Sequence, residues 1–260
     1  MSAEPSAGRR TAPVRPPGRQ RASLRPPGRL RPWWLSPLSV LVALGGFGLY
    51  GVWTALVAGR SEFGPYLSPF FSPRLGGMGS VSPALWILPI PLLFRTSCYH
   101  YRKAYHRSFF GHPLACGRPE GRRRSYRGET RLPLSLNNLH RLALYLSLIV
   151  LAFLWVDALE SFSSGGRARV GLGSLLMLLN VILLSGYTLG CHSLRHLAGG
   201  GLDCYSRARC GTARRGAWRG VTALTARHGV WAWSSLAGVV AVDVYIRALQ
   251  HGLVDAHIGG

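Results

Sequence analysis

The sequence predicts an all-α integral membrane protein: a bundle of five transmembrane helices with its N-terminus in the cytoplasm. Three observations carry that reading. The 260-residue chain has a formal charge of +22, yet 48% of its residues are hydrophobic. The charges sit in blocks, and between them lie five apolar runs, at 33–58, 78–97, 139–156, 170–190 and 229–246, each near the ~18–20 residues a bilayer span needs. The basic residues also alternate from one connection to the next. Segments 1–32, 95–141 and 195–227 hold 26 of the 31 Lys and Arg residues, and the other loops and the C-terminal tail hold five. The positive-inside rule therefore places the three rich segments in the cytoplasm. That accounts for the charge without nucleic acid; anionic lipid head groups or an acidic partner face are the surfaces it fits. The expected location is the cell (plasma) membrane, crossed several times.

Taken in order, residues 1–32 form a basic Pro/Arg-rich tail with "RPPGR" at 15–19 and 25–29, a composition that builds no packed core. It is too long for the n-region of a signal peptide, and no small-residue cleavage site follows the first run. Residues 33–250 form the transmembrane domain and 251–260 a short outer tail. "PWW" at 32–34 reads as an interfacial anchor. The loop 62–75, "EFGPYLSPFFSPRL", carries three prolines and four aromatics and predicts a compact, non-helical plug. Pro83, Pro89 and Pro91 predict a kinked second helix, with Arg95 snorkelling at its end. "CYHYRKAYHRSFF" continues that helix, and Ser135 or Asn137 caps the third. The glycine-rich basic segment 198–220 reads as a loop. Asp157, Asp243 and Arg247 fall near the outer ends of spans three and five and are expected to pair structurally.

Sulfur and imidazole groups are polarised to one side of this topology. All five cysteines (98, 116, 191, 204, 210) and seven of nine histidines fall on the cytoplasmic side. That compartment is reducing, so a disulfide framework is not expected. Cys98, His140, Cys191, His192 and His196 come from three helix ends close to the hydrocarbon edge, where polar groups normally face the bundle interior. Two thiols with two imidazoles suit zinc or a Rieske-type [2Fe–2S] centre, whose imidazoles raise its potential. Only "CYH" at 98–100 resembles half of the familiar soluble Rieske spacing. His100, His106, His112 and His228 read as structural or surface residues and Cys210 as a plain thiol, while Cys116 and Cys204 sit in loops able to fold back over the site.

"GPYLSPFFSP", "SCYHYRKAYHRSFF", "NLHRLALYL", "GCHSLRHLAGGGLDC" and "HGVWAWSSLAGVVAVDVYIRAL" together resemble the membrane-anchor subunit of an actinobacterial succinate dehydrogenase or fumarate reductase (complex II), over about residues 33–250. The resemblance implies an anchor that binds flavoprotein and iron–sulfur subunits on its cytoplasmic face and passes their electrons to quinone, menaquinone or ubiquinone. The chain itself is not expected to act on succinate. In this heme-poor branch the resemblance further implies a Rieske-like [2Fe–2S] cluster, with Cys98, His140, Cys191 and His196 as the matching positions and His192 as the rival imidazole. Tyr101 or Ser97 would donate hydrogen bonds to it. Trp231, Trp233, Arg227 and His228, at the start of the fifth helix, are the candidate quinone-binding residues.

Two rivals stand beside this reading. Two hemes would need four axial histidines at two depths, and no helix-embedded histidine lies near the outer face; one heme b, on His140 with His192 or His196, fits the topology. A transporter or metal-independent scaffold would leave the one-sided Cys/His distribution without a purpose.

Overall fold

The structure, a computed structural model, describes residues 34–73, 82–105, 135–164, 167–168, 170–200, 202 and 204–254. The basic tail, and the loop holding His106, His112 and Cys116, lie outside them. The chain is mostly helical. Among the described residues four helices are long and apolar enough to cross a membrane: α1 (Leu35–Leu56), α5 (Ser135–Glu160), α6 (Leu172–Leu189) and α9 (His228–Gln250). In hydrocarbon no water satisfies a backbone amide, so an apolar run of this length closes its own hydrogen bonds as a helix. Their outward faces are apolar: Leu49 is 75% exposed and Leu41 69%. Their interior holds buried Arg95, Asn180, Asp243 and Arg247. That inversion of inside and outside is what a lipid solvent imposes.

The second apolar run is not one helix. It is divided into α2 (Pro83–Ile87), α3 (Pro89–Ser97) and α4 (Tyr99–Tyr105). Each of the first two begins on a proline, whose missing N–H costs nothing at a helix start but interrupts the ladder of whatever precedes it. The second break is at Cys98, where ψ swings to 133°. A similar break ends α6: Cys191 adopts ψ 139° ahead of the one-turn α7 (His192–Arg195), and a wider turn follows over His196–Gly200. Segment 198–220, expected as a loop, is helical from Gly211 on: α8 spans Gly211–Ala226. Its arginines hide a helical stripe of Arg214, Trp218, Val221, Thr222 and Thr225, which packs on α7 and the turn after it through Arg195, whose Nε donates to Thr222 Oγ1 at 2.9 Å and whose guanidinium lies 4.9 Å from the Trp218 ring.

Of the expected 62–75 plug, residues 62–73 are described, and they fold compactly. A hairpin of β1 (Glu62–Phe63) and β2 (Tyr66–Leu67) turns at Gly64, whose φ of +55° favours glycine. A single 3₁₀ turn at Pro69–Phe71 then buries Phe70 and Phe71 among α1, α2 and α9. A second hairpin, β3 (Ser163–Ser164) with β4 (Arg167–Ala168), joins α5 to α6. Helix α6 lies along α9 and α5, and α3 along α5. The α6–α9 seam depends on Gly186: a Cβ there would lie 2.6 Å from the Trp231 ring.

Candidate functional site

The C-terminus of α3, the N-terminus of α5, the C-terminus of α6 and the N-terminus of α9 meet at one end of the bundle. Between them lies a cavity of about 370 Å³ whose lining includes Cys98, His140, Cys191, His192, His196 and His228, with Arg102, Arg141 and Ser97. All five residues read from the sequence as candidate ligands therefore line one space. The two helix breaks are what bring the thiols there. A thiol on a continuous helix would follow the helix face, whereas Cys98 and Cys191 sit in extended backbone at a helix end and turn inward.

Two thiol–imidazole pairs result. His140 Nε2 lies 3.0 Å from Cys191 Sγ, and His228 Nε2 lies 3.2 Å from Cys98 Sγ. These four residues are buried, whereas His192 and His196 are exposed at the cavity rim. His228, expected as a surface, structural or quinone-binding residue, thus faces a thiol. Among the described residues no three His, Cys, Asp or Glu side chains are grouped as a site for a single metal ion; the donors stand as two pairs.

The neighbouring groups fix His140. Ser97 Oγ donates to Leu93 O at 2.6 Å, so its proton is committed, and the 3.0 Å contact with His140 Nδ1 runs from Nδ1–H to the hydroxyl oxygen. This assigns the Nδ1–H tautomer and leaves the Nε2 lone pair facing Cys191. The ring stacks on Phe94 at 4.7 Å and 3°. His228 stacks on Tyr187 at 5.0 Å and 19°, and its Nδ1 is buried with no hydrogen-bond partner among the described residues. Burial pushes the Cys191 thiol up to about 11, and burial also raises that of Cys98, against a smaller opposing pull from the Tyr187 hydroxyl. Both are neutral thiols at pH 7. His192 is shifted down, by burial first and by Arg195 second.

Other expectations fall elsewhere. Arg95 does not snorkel outward. It is 2% exposed and points inward, donating to Ala232 O at 2.9 Å, Ser235 Oγ at 3.0 Å and Tyr101 Oη at 3.3 Å, with its guanidinium 4.6 Å from the Tyr187 ring. In hydrocarbon a guanidinium is cheaper inside a polar bundle than against lipid. Tyr101 spends its proton on Ala232 O at 2.7 Å and is not a donor to the cavity. Trp231 packs on α6 at Gly186, Trp233 stands against Tyr101 and His100, and Arg227 is exposed at the start of α9. Of the four quinone candidates only His228 lines the cavity. Cys204 and Cys210 are exposed. Asp243 and Arg247 do pair, at 2.9 Å, and Tyr50 and Ser68 also donate to the Asp243 carboxylate, binding the plug to α1 and α9.

The family model for the actinobacterial succinate dehydrogenase subunit SdhC matches residues 35–252. A chain of the "Mycobacterium smegmatis Sdh1 complex in the apo form" is similar to this one at 35% identity and a TM-score of 0.71, covering 87% of this chain and 91% of that one. No curated protein matches.

Proposed function

The chain belongs to the actinobacterial succinate dehydrogenase subunit SdhC family, and from that premise we propose that this membrane anchor holds a Rieske-type [2Fe–2S] cluster and delivers electrons from the complex to a quinone. The observation that carries the proposal is the convergence of two buried thiols and two buried imidazoles, as pairs at 3.0 and 3.2 Å, on one cavity. Two thiols together with two imidazoles are the donor types that a Rieske-type centre takes. A mixed thiolate–imidazole set also favours a cluster over heme b. Arg102 and Arg141 line the cavity and favour an occupant carrying negative charge.

Cys98, Cys191 and His140 would hold the cluster with His228, the second buried imidazole beside a thiol; His196, which the family resemblance points to, and His192 stand at the rim. When bound, such a cluster takes up and gives out one electron at a time at a potential its surroundings tune. Each thiol gives up its proton on binding. Ser97 holds the His140 ring and its tautomer. Phe94 and Tyr187 back the two imidazoles and keep water out.

In this reading the flavoprotein and iron–sulfur subunits dock at the arginine-rich face of α8. The N-terminus is cytoplasmic, and α2 with α3 completes a fifth, broken crossing of the plasma membrane.

The test is EPR and iron content of the purified complex. A Rieske-like signal that disappears in Cys191→Ser and His228→Ala but survives in His196→Ala is the expected result. Loss in His196→Ala with survival in His228→Ala would reassign the fourth ligand. A Soret band without that signal would replace the cluster with heme b, and no metal at all would leave a scaffold.

A further inference from the structure

Arg95 carries a buried charge that the fold alone does not account for. Its side chain is 2% exposed, and among the described residues no carboxylate pairs with it. The fully buried carboxylate of Asp243 stands eight residues beyond Ser235 on α9, about 12 Å along the helix, and is bonded to Arg247. Neutral groups hold the Arg95 guanidinium instead: Ala232 O, Ser235 Oγ and Tyr101 Oη accept from it, and the Tyr187 ring lies 4.6 Å away. Dipoles of this kind fix a cation in place but leave its charge uncancelled. A lone charge inside a membrane bundle is costly and marks function.

The charge stands behind the thiol–imidazole cavity. Along the chain, Arg95 lies one turn before the break at Cys98, whose N–H donates to Arg95 O at 3.1 Å. Across the bundle, Tyr187 joins the two: the guanidinium is 4.6 Å from its ring centre, and the His228 ring stacks on it at 5.0 Å. The cation is therefore within about 10 Å of the His228 imidazole, with an aromatic ring between them. Arg102 and Arg141 differ, because they line the cavity and would touch its occupant. Arg95 is not among the lining residues, so it acts on an occupant only through its field.

We infer that Arg95 sets the potential of the one-electron carrier held in this cavity: its fixed positive charge favours the carrier after it has accepted an electron from the peripheral iron–sulfur subunit and before that electron passes to quinone. The inference rests on the electron-transfer reading above, but not on whether the carrier is a cluster or a heme. At about 10 Å and an effective dielectric of about 20, one cation favours the reduced form about tenfold, which for one electron is about 59 mV. A guanidinium keeps its proton throughout, so the contribution of Arg95 does not vary with pH.

The test is a redox titration of the purified complex in lipid nanodiscs, followed by EPR, with iron content and thermal unfolding measured on the same samples. Arg95→Gln removes the charge and keeps an amide able to donate to Ala232 O. Arg95→Lys keeps the charge and loses the planar fork. A field effect orders the potentials by charge. Arg95→Gln is expected to lower the reduction equilibrium about tenfold, or about 59 mV, and Arg95→Lys by less than half of that shift, with iron content unchanged in both. A residue that merely ties α3 to α9 would give the two variants equal potentials and different melting temperatures. Ser235→Asp sets a carboxylate beside the guanidinium and should lower the potential with Arg95 in place, which keeps the test open if Arg95→Gln fails to assemble. A potential unmoved in Arg95→Gln or in Ser235→Asp would overturn the inference while leaving the cluster standing. A parent complex with no one-electron carrier in the anchor would overturn it together with the reading it rests on. If a Soret band replaces the Rieske signal, the titration is followed optically, and the same fall in Arg95→Gln supports the inference while refuting the cluster.

Discussion

Replacing Asp243 by Ala should unfasten the plug, and the structure sets the size of the effect. Asp243 is fully buried. Its carboxylate accepts from Arg247 Nε at 2.9 Å and from the hydroxyls of Tyr50 and Ser68. Without it, the Arg247 guanidinium keeps only the carbonyls of Ala58 and Gly59 and stays buried and uncompensated. Breaking one side of a buried pair costs about 3–5 kcal/mol, and orphaning the buried Ser68 hydroxyl adds about 1. The single variant should therefore lose about 4–6 kcal/mol. Removing both charges in Asp243→Leu with Arg247→Met removes the uncompensated cation and should cost only about 1–3 kcal/mol, mostly from the two hydroxyls. The assay is thermal unfolding of the complex in nanodiscs across this double-mutant cycle, with proteolysis of the 59–64 segment reporting release of the plug. A single-variant loss below about 1 kcal/mol, or a double variant as damaged as the sum of the singles, would refute a buried pair that pins the plug.

Gly186→Ala places a Cβ 2.6 Å from the Trp231 ring, so α6 and α9 must separate; a loss of about 1–3 kcal/mol is expected in the same unfolding assay, and an unchanged melting temperature would contradict the seam. Thiol alkylation should divide the cysteines. The exposed Cys204 thiol is held below its usual range by Ser206 and nearby backbone amides and should react first at pH 8. In the metal-free protein, with Cys191 at about 11, roughly one molecule in a thousand carries its thiolate at pH 8, so alkylation there should climb about tenfold per pH unit up to pH 11; equal labelling of Cys191 and Cys204 at pH 8, read by mass spectrometry, would refute the burial. If the proposed cluster is bound, Ser97→Ala, which removes the acceptor that fixes the His140 tautomer, should shift its EPR signal and midpoint potential while leaving iron content near normal. An unshifted potential would make Ser97 a bystander.

Much of this protein is legible in its residues. Uncharged runs of bilayer length determine α1, α5, α6 and α9, because a backbone in lipid has no partner but itself. The prolines at 83, 89 and 91 announce a broken second run, and the aromatics of 62–75 announce a plug. Cys98, His140 and Cys191 stand out because thiols and imidazoles at helix ends are rare without a use. Other features were hidden. Arg95 sits near the end of an apolar run whether it snorkels or turns inward, and only the hydroxyls and carbonyls of α9 decide that it turns in. The inner face of α8 was masked by arginines on the other faces of the same helix. His228 lies 130 residues from Cys98, and no spacing rule reaches that far.

The sequence by itself determined how many apolar segments there are, which residues carry sulfur and imidazole, and that these collect at one end. Those are properties of composition and period, local along the chain. Only the tertiary structure decided which imidazole meets which thiol, that the two helix breaks turn the thiols inward, and that Arg95 turns into the bundle. Pairing across a bundle depends on the rotation and depth of each helix relative to its neighbours. These are set by side-chain packing such as Trp231 on Gly186, which no single segment encodes.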